Sequence, residues 1–165
     1  MTTAYLSLGS NLGDRAANLQ RALHDLGALG RVTKRSSCYE TEPQEFTAQP
    51  WFLNCVVELV TALEPPELLT GILGIERSVG RIREESLPKG PRILDIDILL
   101  FGDRVVESGE LTIPHPAMHL RRFVLEPLAE IAGEARHPAL HGAMRELLEQ
   151  LPEGQGVRRV SREIL

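Results

Sequence analysis

Apolar and polar positions in the first third of the chain alternate in ways that are typical of strands. Short apolar runs at Ala4–Leu8 and Phe52–Leu63, and a mixed alternation at Arg31–Tyr39, predict three strands. The stretch Thr41–Pro50 contains two prolines and has no period, which predicts a loop. Because this loop is short and its flanking strands have similar lengths, we expect those two strands to pair antiparallel.

Apolar residues spaced three and four positions apart predict two helices among these strands. Asp14 is the expected N-cap of the first helix, because its side chain can accept a hydrogen bond from the first turn. Pro65-Pro66 opens the second helix, where proline is tolerated, and Glu76 falls in its last turns. The apolar stripes consist of Leu19, Leu23 and Leu26 in the first helix, and of Leu68, Leu69, Ile72, Leu73 and Val79 in the second.

The rest of the chain contains one long charged loop and several further patterned segments. The loop spans Gly80–Arg92 and ends in glycine and proline. The segments are a strand at Leu94–Leu100 closed by Gly102, a short strand at Leu111–Pro116, a helix from Arg121 through Leu128 and Ile131 that includes Pro127, an amphipathic helix at Ala139–Leu151, and an edge strand at Val157–Val160.

The order of the first six elements defines the expected fold class. Strand, helix, strand, strand, helix and strand form a βαββαβ pattern, which fits an α+β fold with a ferredoxin-like antiparallel sheet and helices packed on one face. The later elements are then C-terminal additions. A length of 165 residues suits one domain spanning 1–165.

The composition is that of an ordinary globular protein and argues against several classes of function. The chain is 42% hydrophobic and 25% charged, and no apolar run approaches the length of a membrane span. A net charge of -5 argues against nucleic acid or an anionic membrane as partner. The sequence contains no signal peptide, so a cytoplasmic location is expected. Cys38 and Cys55 lack metal or redox spacing, and either two thiols or one disulfide fits them.

Two carboxylates interrupt the apolar strand at Leu94–Leu100. Strand side chains alternate between faces, so Asp95 and Asp97 point the same way, with Cβ atoms roughly 6–7 Å apart. Like charges on one face repel each other and need positive charge nearby. Two readings stay open: the carboxylates hold one or two Mg²⁺ ions, or they lie on an exposed face and pair with Arg92 and other arginines.

Other candidate residues also have a functional and a structural reading. Arg77, Arg81, Arg83, Lys89 and Arg92 are either solvated surface charges or a basic lid over a polyphosphate. The Gly9–Gly13 turn lacks the Gly-Lys-Ser/Thr ending of a P-loop, which favours a flexible turn. His115 stands between two prolines, and a surface histidine without a role is the usual reading.

Six motifs in order resemble the 6-hydroxymethyl-7,8-dihydropterin pyrophosphokinase family. Within them, the segment from Gly-Pro-Arg to the paired aspartates is the most specific. The motifs are Leu8-Gly9-Ser10-Asn11-Leu12-Gly13, Tyr39-Glu40-Thr41-Glu42-Pro43, Phe52-Leu53-Asn54, Glu76-Arg77 with Gly80-Arg81-Ile82-Arg83, Gly90–Gly102, and Leu111–His115 with Arg121-Arg122-Phe123.

This resemblance implies a reaction in folate biosynthesis. ATP, the co-substrate, would donate its β,γ-diphosphate to the hydroxymethyl oxygen of the pterin and leave as AMP. Two Mg²⁺ ions on Asp95 and Asp97 would bridge phosphate oxygens and position the attacking alcohol. A monomer is expected, with the two small molecules as its partners.

The resemblance also implies roles for particular residues. Asp95, Asp97, Arg81 and Arg92 would form the catalytic group, with the two aspartates as metal ligands. The pterin would lie against the rings of Phe52 and Phe123, the Asn54 amide and the main chain near Thr41. The nucleotide would contact Glu76, Arg81, Arg83, Arg92, Ile98, Thr112, His115 and Arg121.

Some positions depart from the pattern of the best-known members. Pro88-Lys89 stands where those members carry an Arg-Trp pair, so Lys89 is the candidate substitute for the lid arginine. Glu110 and Pro116 also differ from the residues common at those positions. A different class of function stays open beside the enzyme: a non-catalytic ferredoxin-like module that binds a small ligand or a partner protein.

Overall fold

The computed structural model describes residues 1–42, 50–80 and 93–160. These residues form eight strands, four helices and one short 3-10 helix. The elements are β1 (Thr2–Ser10), α1 (Arg15–Leu26), β2 (Arg31–Arg35), β3 (Tyr39–Thr41), β4 (Phe52–Thr61), α2 (Pro65–Gly80), β5 (Asp95–Phe101), β6 (Val106–Glu107), β7 (Thr112–Ile113), the 3-10 helix (Met118–Leu120), α3 (Arg122–Ala132), α4 (Met144–Glu149) and β8 (Val157–Arg159).

An antiparallel sheet forms the centre of this α+β fold. Its strands lie in the order β5-β1-β4-β3-β8, and β2 also pairs with β4. The predicted antiparallel pairing between β2 and β4 is confirmed. β6 and β7 form a separate two-stranded sheet. Within the main sheet, Gly9 of β1 lies opposite Asn54 on one side and Asp95 on the other.

One face of the sheet packs against α1 and α2. Leu6 and Leu8 of β1 meet Leu19 of α1 and Leu68 of α2 in a core that excludes water. The predicted N-cap is confirmed, because the Asp14 side chain accepts a hydrogen bond from the Ala17 amide at 3.1 Å. α2 begins at the predicted prolines and carries Glu76 in its last turns.

The opposite face packs against α3 and α4, which belong to the predicted C-terminal additions, whereas the two helices of the predicted βαββαβ unit share one face. Val56 of β4 contributes to this second core together with Leu125 of α3 and Met144 of α4. Its neighbour Val57 belongs to the core on the other face, and both side chains are fully buried. A strand that is apolar at consecutive positions is buried on both faces and therefore needs cover on both.

The predicted strand Arg31–Tyr39 consists of two strands. Its pairing with β4 shifts between Val32 and Lys34, and shifts again before Tyr39. In the break, the Ser36 side-chain oxygen accepts a hydrogen bond from the Val56 amide at 2.9 Å. A side chain thus replaces a main-chain partner of the ladder, and propensity alone does not reveal such a substitution.

The predicted helix Ala139–Leu151 begins later, at Met144. The His137 Nδ1 atom accepts hydrogen bonds from the amides of Ala139 and Leu140, which holds these residues in a turn. His141 then adopts a positive φ of 59°, which is incompatible with a continuous helix.

The remaining predictions divide into confirmed and unassessed ones. β8 lies at the sheet edge, α3 contains Pro127, and β5 is closed by Gly102 at a φ of 55°. Cys38 and Cys55 are both buried free thiols. Within the described ranges, no helix is long and apolar enough to cross a membrane. The expected loop Gly80–Arg92 lies, from residue 81 on, outside the described residues.

Candidate active site

The candidate site begins with a row of register partners that crosses four strands. Asp95 of β5 pairs with Gly9 of β1, Gly9 with Asn54 of β4, and Asn54 with Tyr39 of β3. Paired residues direct their side chains to the same face, so this row lies on the face that packs against α3. With strands about 4.8 Å apart, the row extends roughly 14 Å.

The paired aspartates lie at one end of this row. Asp95 and Asp97 are half-buried, whereas Leu94, Ile96 and Ile98 between and beside them are buried. The predicted alternation of β5 is therefore confirmed. Asp95 lies opposite Gly9 and Asp97 opposite Ser7, so the neighbouring strand presents only small residues beside the two carboxylates.

Glu76 anchors the strand that carries the aspartates. Its Oε2 atom accepts a hydrogen bond of 2.7 Å from the Ile96 amide, which lies between Asp95 and Asp97. A charged acceptor makes this a strong hydrogen bond. The end of α2 thus fixes the position of β5 at the point where the two carboxylates emerge.

The other side of the row contains the residues expected to bind the pterin. Asn54 and Thr41 are both buried, and the Asn54 Nδ2 atom donates a hydrogen bond of 2.5 Å to Thr41 Oγ1. Phe52 pairs with Thr41 and is half-buried on the same face. Phe123, in the first turn of α3, is also half-buried, and the Arg121 guanidinium lies 5.5 Å from its ring centroid.

His115 connects the aspartate end of the site with Arg121. Its amide donates to Leu99 O at 3.0 Å, and its Nδ1 atom accepts from the Ala117 amide at 3.2 Å. Burial and the positive charge of Arg121 lower the pKa of His115, and the negative charge of Asp95 acts in the opposite direction. Because Nδ1 is an acceptor, the neutral imidazole carries its proton on Nε2 and can donate from there.

Other expected site residues lie in different surroundings. The Ile98 side chain is buried in the α1–α2 core, so its main chain is the part available to a ligand. Thr112 is exposed on β7. Arg81, Arg83, Lys89 and Arg92 lie outside the described residues. Within the described part of the chain, no group of three or more histidine, cysteine, aspartate or glutamate side chains could hold a metal ion.

Sequence reasoning missed three features of the site. The pairing of Gly9 with both Asp95 and Asn54 depends on contacts between distant strands. The hydrogen bond from Ile96 to Glu76 depends on how α2 ends against β5. Arg158 of β8 forms an ion pair with Glu40 beside Thr41, which depends on the pairing of β8 with β3.

The fold and the site together define an α+β protein whose acidic pair, imidazole and guanidinium groups suit phosphate chemistry. A model of the family described as 7,8-dihydro-6-hydroxymethylpterin-pyrophosphokinase (HPPK) matches residues 5–133. The chain belongs to this family, whose curated members include diphosphotransferase enzymes.

Two curated pyrophosphokinases match most of the chain. It is 44% identical over 163 residues to the 2-amino-4-hydroxy-6-hydroxymethyldihydropteridine pyrophosphokinase of Methylorubrum extorquens, covering 97% of this chain and 99% of the relative. The protein of the same name from Bacillus subtilis is 48% identical over 139 residues, 82% of this chain and 81% of the relative.

Longer relatives contain the same region as one part of a larger protein. The folic acid synthesis protein fol1 of Schizosaccharomyces pombe is 44% identical over 157 residues, and the match covers 94% of this chain but 21% of fol1. The structure of Plasmodium falciparum HPPK-DHPS wild type with pteroate matches with a TM-score of 0.73 at 20% identity, covering 90% of this chain and 42% of that chain. The latter likeness concerns the fold alone.

Proposed function

We propose that this chain transfers diphosphate from ATP to the hydroxymethyl group of 6-hydroxymethyl-7,8-dihydropterin, with release of AMP, in folate biosynthesis. The observation that carries the proposal is the row on the α3 face, which aligns the Asp95 carboxylate with the buried Asn54 amide two strands away. The residues proposed to bind phosphate, near Asp95, and those proposed to bind the heterocycle, near Asn54, thus lie on the same face of the sheet. Membership of the pyrophosphokinase family supports the same reaction.

The aspartate pair fits Mg²⁺ as the metal of the site. Mg²⁺ is usually held by one or two carboxylates and completes its shell with water and substrate phosphates. Asp95 and Asp97 offer such oxygens on one half-exposed face, and they would hold two ions in this proposal. When bound, the metal would neutralise charge on the phosphate oxygens around the reacting phosphorus.

The residues around His115 suit the nucleotide. The neutral His115 ring can donate from Nε2, and the Arg121 guanidinium supplies fixed positive charge beside it. Glu76, Thr112 and the main chain of Ile98 would complete the described part of this region. Arg81, Arg83 and Arg92 are assigned to the nucleotide, and Arg81 and Arg92 also to catalysis, from their motifs in the sequence.

The residues around Asn54 suit the pterin. One N–H of the Asn54 amide is held by Thr41, which fixes the amide plane and leaves its oxygen and second N–H for the edge of a heterocycle. Phe52 and Phe123 present half-buried rings for stacking, worth about 0.5–1.5 kcal/mol per pair beyond the area they bury. Catalysis then depends mainly on alignment of the two substrates.

The same proposal covers the finer fold and the assembly. The order of β1, α1, the strands β2 and β3, β4, α2 and β5 supports a ferredoxin-like unit within a single domain. We also propose that the protein acts as a monomer. ATP is abundant in the cytoplasm, where we propose that the protein acts.

Separation of the nucleotide products tests the reaction directly. Purified protein is incubated with ATP, Mg²⁺ and 6-hydroxymethyl-7,8-dihydropterin, and the nucleotides are resolved by anion-exchange chromatography. We expect AMP to form in step with pterin diphosphate. Formation of ADP, or of no product, would contradict the proposal. Metal-independent binding of a non-hydrolysable ATP analogue, measured by calorimetry, would instead favour a binding module.

A matched pair of variants tests the aspartates. Asp97→Asn keeps the shape of the side chain but removes its charge, and we expect kcat to fall by about 100-fold or more. Asp103→Asn makes the same change at an exposed position just beyond β5 and should leave kcat unchanged. The melting temperatures of both variants should lie within a few degrees of the parent value. The loss of activity could then not be explained by a loss of folding.

A further inference from the structure

We infer that Arg15, Glu40, Trp51 and Arg158 form a positioning network that sets the affinity of the pterin site. The inference rests on the proposed function and assigns a role to residues that sit behind the candidate site. Arg158 lies on β8, beyond residue 133 where the family match ends. The C-terminal strand would therefore contribute to substrate recognition without touching the substrate.

Glu40 is the centre of the network. It lies on β3 opposite Arg158 of β8, and Arg158 Nη2 is 3.3 Å from Glu40 Oε1. On the other side, Arg15 Nη1 at the start of α1 is 3.3 Å from Glu40 Oε2. A single carboxylate thus connects the first turn of α1 with the last strand of the sheet.

Trp51 closes the network into a ring. Its main-chain oxygen accepts a hydrogen bond of 3.0 Å from Arg15 Nη1, and the Arg158 guanidinium lies 5.7 Å from the centroid of its indole. Gly156, just before β8, lies beside the indole, since a Cβ atom there would be in ordinary contact with the ring at 3.7 Å. The Glu42 amide also donates to Gly156 O at 2.9 Å.

The network holds the main chain on both sides of a register pair in the site. Trp51 directly precedes Phe52, Glu40 directly precedes Thr41, and Phe52 and Thr41 are partners across β4 and β3. Thr41 in turn holds the Asn54 amide. A shift of Trp51 or Glu40 would therefore move the ring and the amide proposed to bind the pterin, while the aspartate end of the row would stay in place.

The exposure of the network predicts an effect on binding more than on stability. The side chains of Arg15, Glu40 and Arg158 are 31%, 21% and 67% exposed, and ion pairs at such positions contribute little to folding. Small displacements of groups that position a substrate, in contrast, have large effects. The expected signature is a change in KM for the pterin with KM for ATP unchanged.

Steady-state kinetics of Arg158→Ala test this signature. Loss of the cation–π contact and the ion pair should raise KM for the pterin about two- to fivefold, with kcat and KM for ATP near the parent values. Arg158→Lys keeps the charge for Glu40 but not the planar contact with Trp51, so an intermediate KM is expected. Arg31→Ala, on exposed β2 of the same sheet, is the matched control and should change nothing.

Fluorescence provides a second readout that does not require turnover. Trp51 is the only tryptophan in the sequence, so its emission reports on the network directly. Titration with the pterin in the presence of a non-hydrolysable ATP analogue should change this emission in the parent, with the midpoint at higher pterin concentration in Arg158→Ala. Glu40→Gln, which keeps the shape of β3 and removes both ion pairs, should shift the midpoint in the same direction.

The outcomes separate this inference from the proposed function. If the parent forms AMP but Arg158→Ala and Glu40→Gln keep its pterin KM and titration midpoint, the network has no positioning role. Equal increases in KM for ATP and for the pterin would also overturn the inference, because they indicate general damage. If the parent forms no AMP and binds no pterin, the proposed function itself fails.

Discussion

The missing side chain of Gly9 provides the space in which the Asn54 amide lies. A Cβ atom at position 9 would come within 2.6 Å of Asn54 Oδ1, closer than any van der Waals contact allows. The Asn54 side chain is buried and hydrogen-bonded to Thr41, so it has little freedom to move away from such a Cβ atom. The glycine therefore matters here for close approach, and it determines where the Asn54 amide of the proposed pterin site can lie.

Gly9→Ala is expected to impair pterin binding selectively. The new methyl group would displace the Asn54 amide and break its hydrogen bond to Thr41, at a cost of about 1–3 kcal/mol, so the pterin KM should rise about tenfold. KM for ATP should change much less. The matched control is Gly109→Ala, where a Cβ meets no atom within 4 Å. An unchanged pterin KM in a folded Gly9→Ala protein would show that the amide position is not important.

Two glycines of α2 offer a second matched comparison, this time for stability. A Cβ at Gly74 meets nothing within 4 Å, whereas a Cβ at Gly71 would lie 2.5 Å from Leu29 Cδ2. Gly74→Ala should raise the free energy of unfolding by about 1 kcal/mol through helix propensity. Gly71→Ala gains the same propensity but crowds Leu29, so it should be less stable than Gly74→Ala by about 1–3 kcal/mol. Urea denaturation of both variants measures the difference; equal stabilities would contradict the packing.

Features of the chain that depend on neighbouring residues could be predicted from the sequence. The N-cap at Asp14 needs only the first turn of its own helix, and the shared direction of Asp95 and Asp97 needs only the alternation of one strand. The start of α2 at Pro65 follows from the same kind of local rule. These predictions succeed because the physical cause lies within a few residues of the effect.

Features that depend on distant pairing could not be predicted in this way. The Arg31–Tyr39 segment divides because the Ser36 side chain bonds to Val56 on another strand. The placement of Gly9 between Asp95 and Asn54 is set by the register of three strands. The sequence pattern of one strand shows which residues share a face but not which residues of the neighbouring strand they pair with. The row that contains Asp95, Gly9 and Asn54 can therefore be identified only from the structure.

The buried thiols are expected to be unreactive in the native state. Cys38 directly precedes Tyr39 and Cys55 directly follows Asn54, the two residues of one register pair, and both cysteines are at most 1% exposed. The hydrogen bond between the two thiols lowers the pKa of Cys38 and, together with burial, raises the pKa of Cys55, so Cys38 is protected by its burial and Cys55 by both effects. Since the thiolate is the reactive form, a disulfide reagent such as DTNB should label neither residue quickly in buffer and both in urea. Rapid labelling of native protein would contradict this packing, and Cys38→Ala and Cys55→Ala would identify the reactive thiol.

His137 makes the stability of the protein depend on pH. The residue is 5% exposed, and its Nδ1 atom accepts hydrogen bonds from the amides of Ala139 and Leu140 at 3.2 and 3.0 Å. An acceptor at Nδ1 requires the neutral form of the ring. Burial lowers the pKa of His137, and the neighbouring His119 and His141 lower it further. In the unfolded chain the ring takes up a proton near pH 6.5, whereas in the folded protein it does so only at lower pH. The unfolded state therefore binds more protons, and stability falls as pH falls below about 6.5, until the folded ring is also protonated.

His137→Asn tests this dependence, because an asparagine oxygen can accept the same amides two and three residues ahead but does not titrate. The free energy of unfolding, measured in urea between pH 7.5 and 5.5, should decline less steeply with acid in the variant than in the parent. Part of the slope should remain, since the pKa of His115 is also lowered. His24→Asn makes the same replacement at an exposed position of α1 and is the matched control for the parent slope. If His137→Asn keeps that slope as well, the His137 ring is not held neutral by its surroundings.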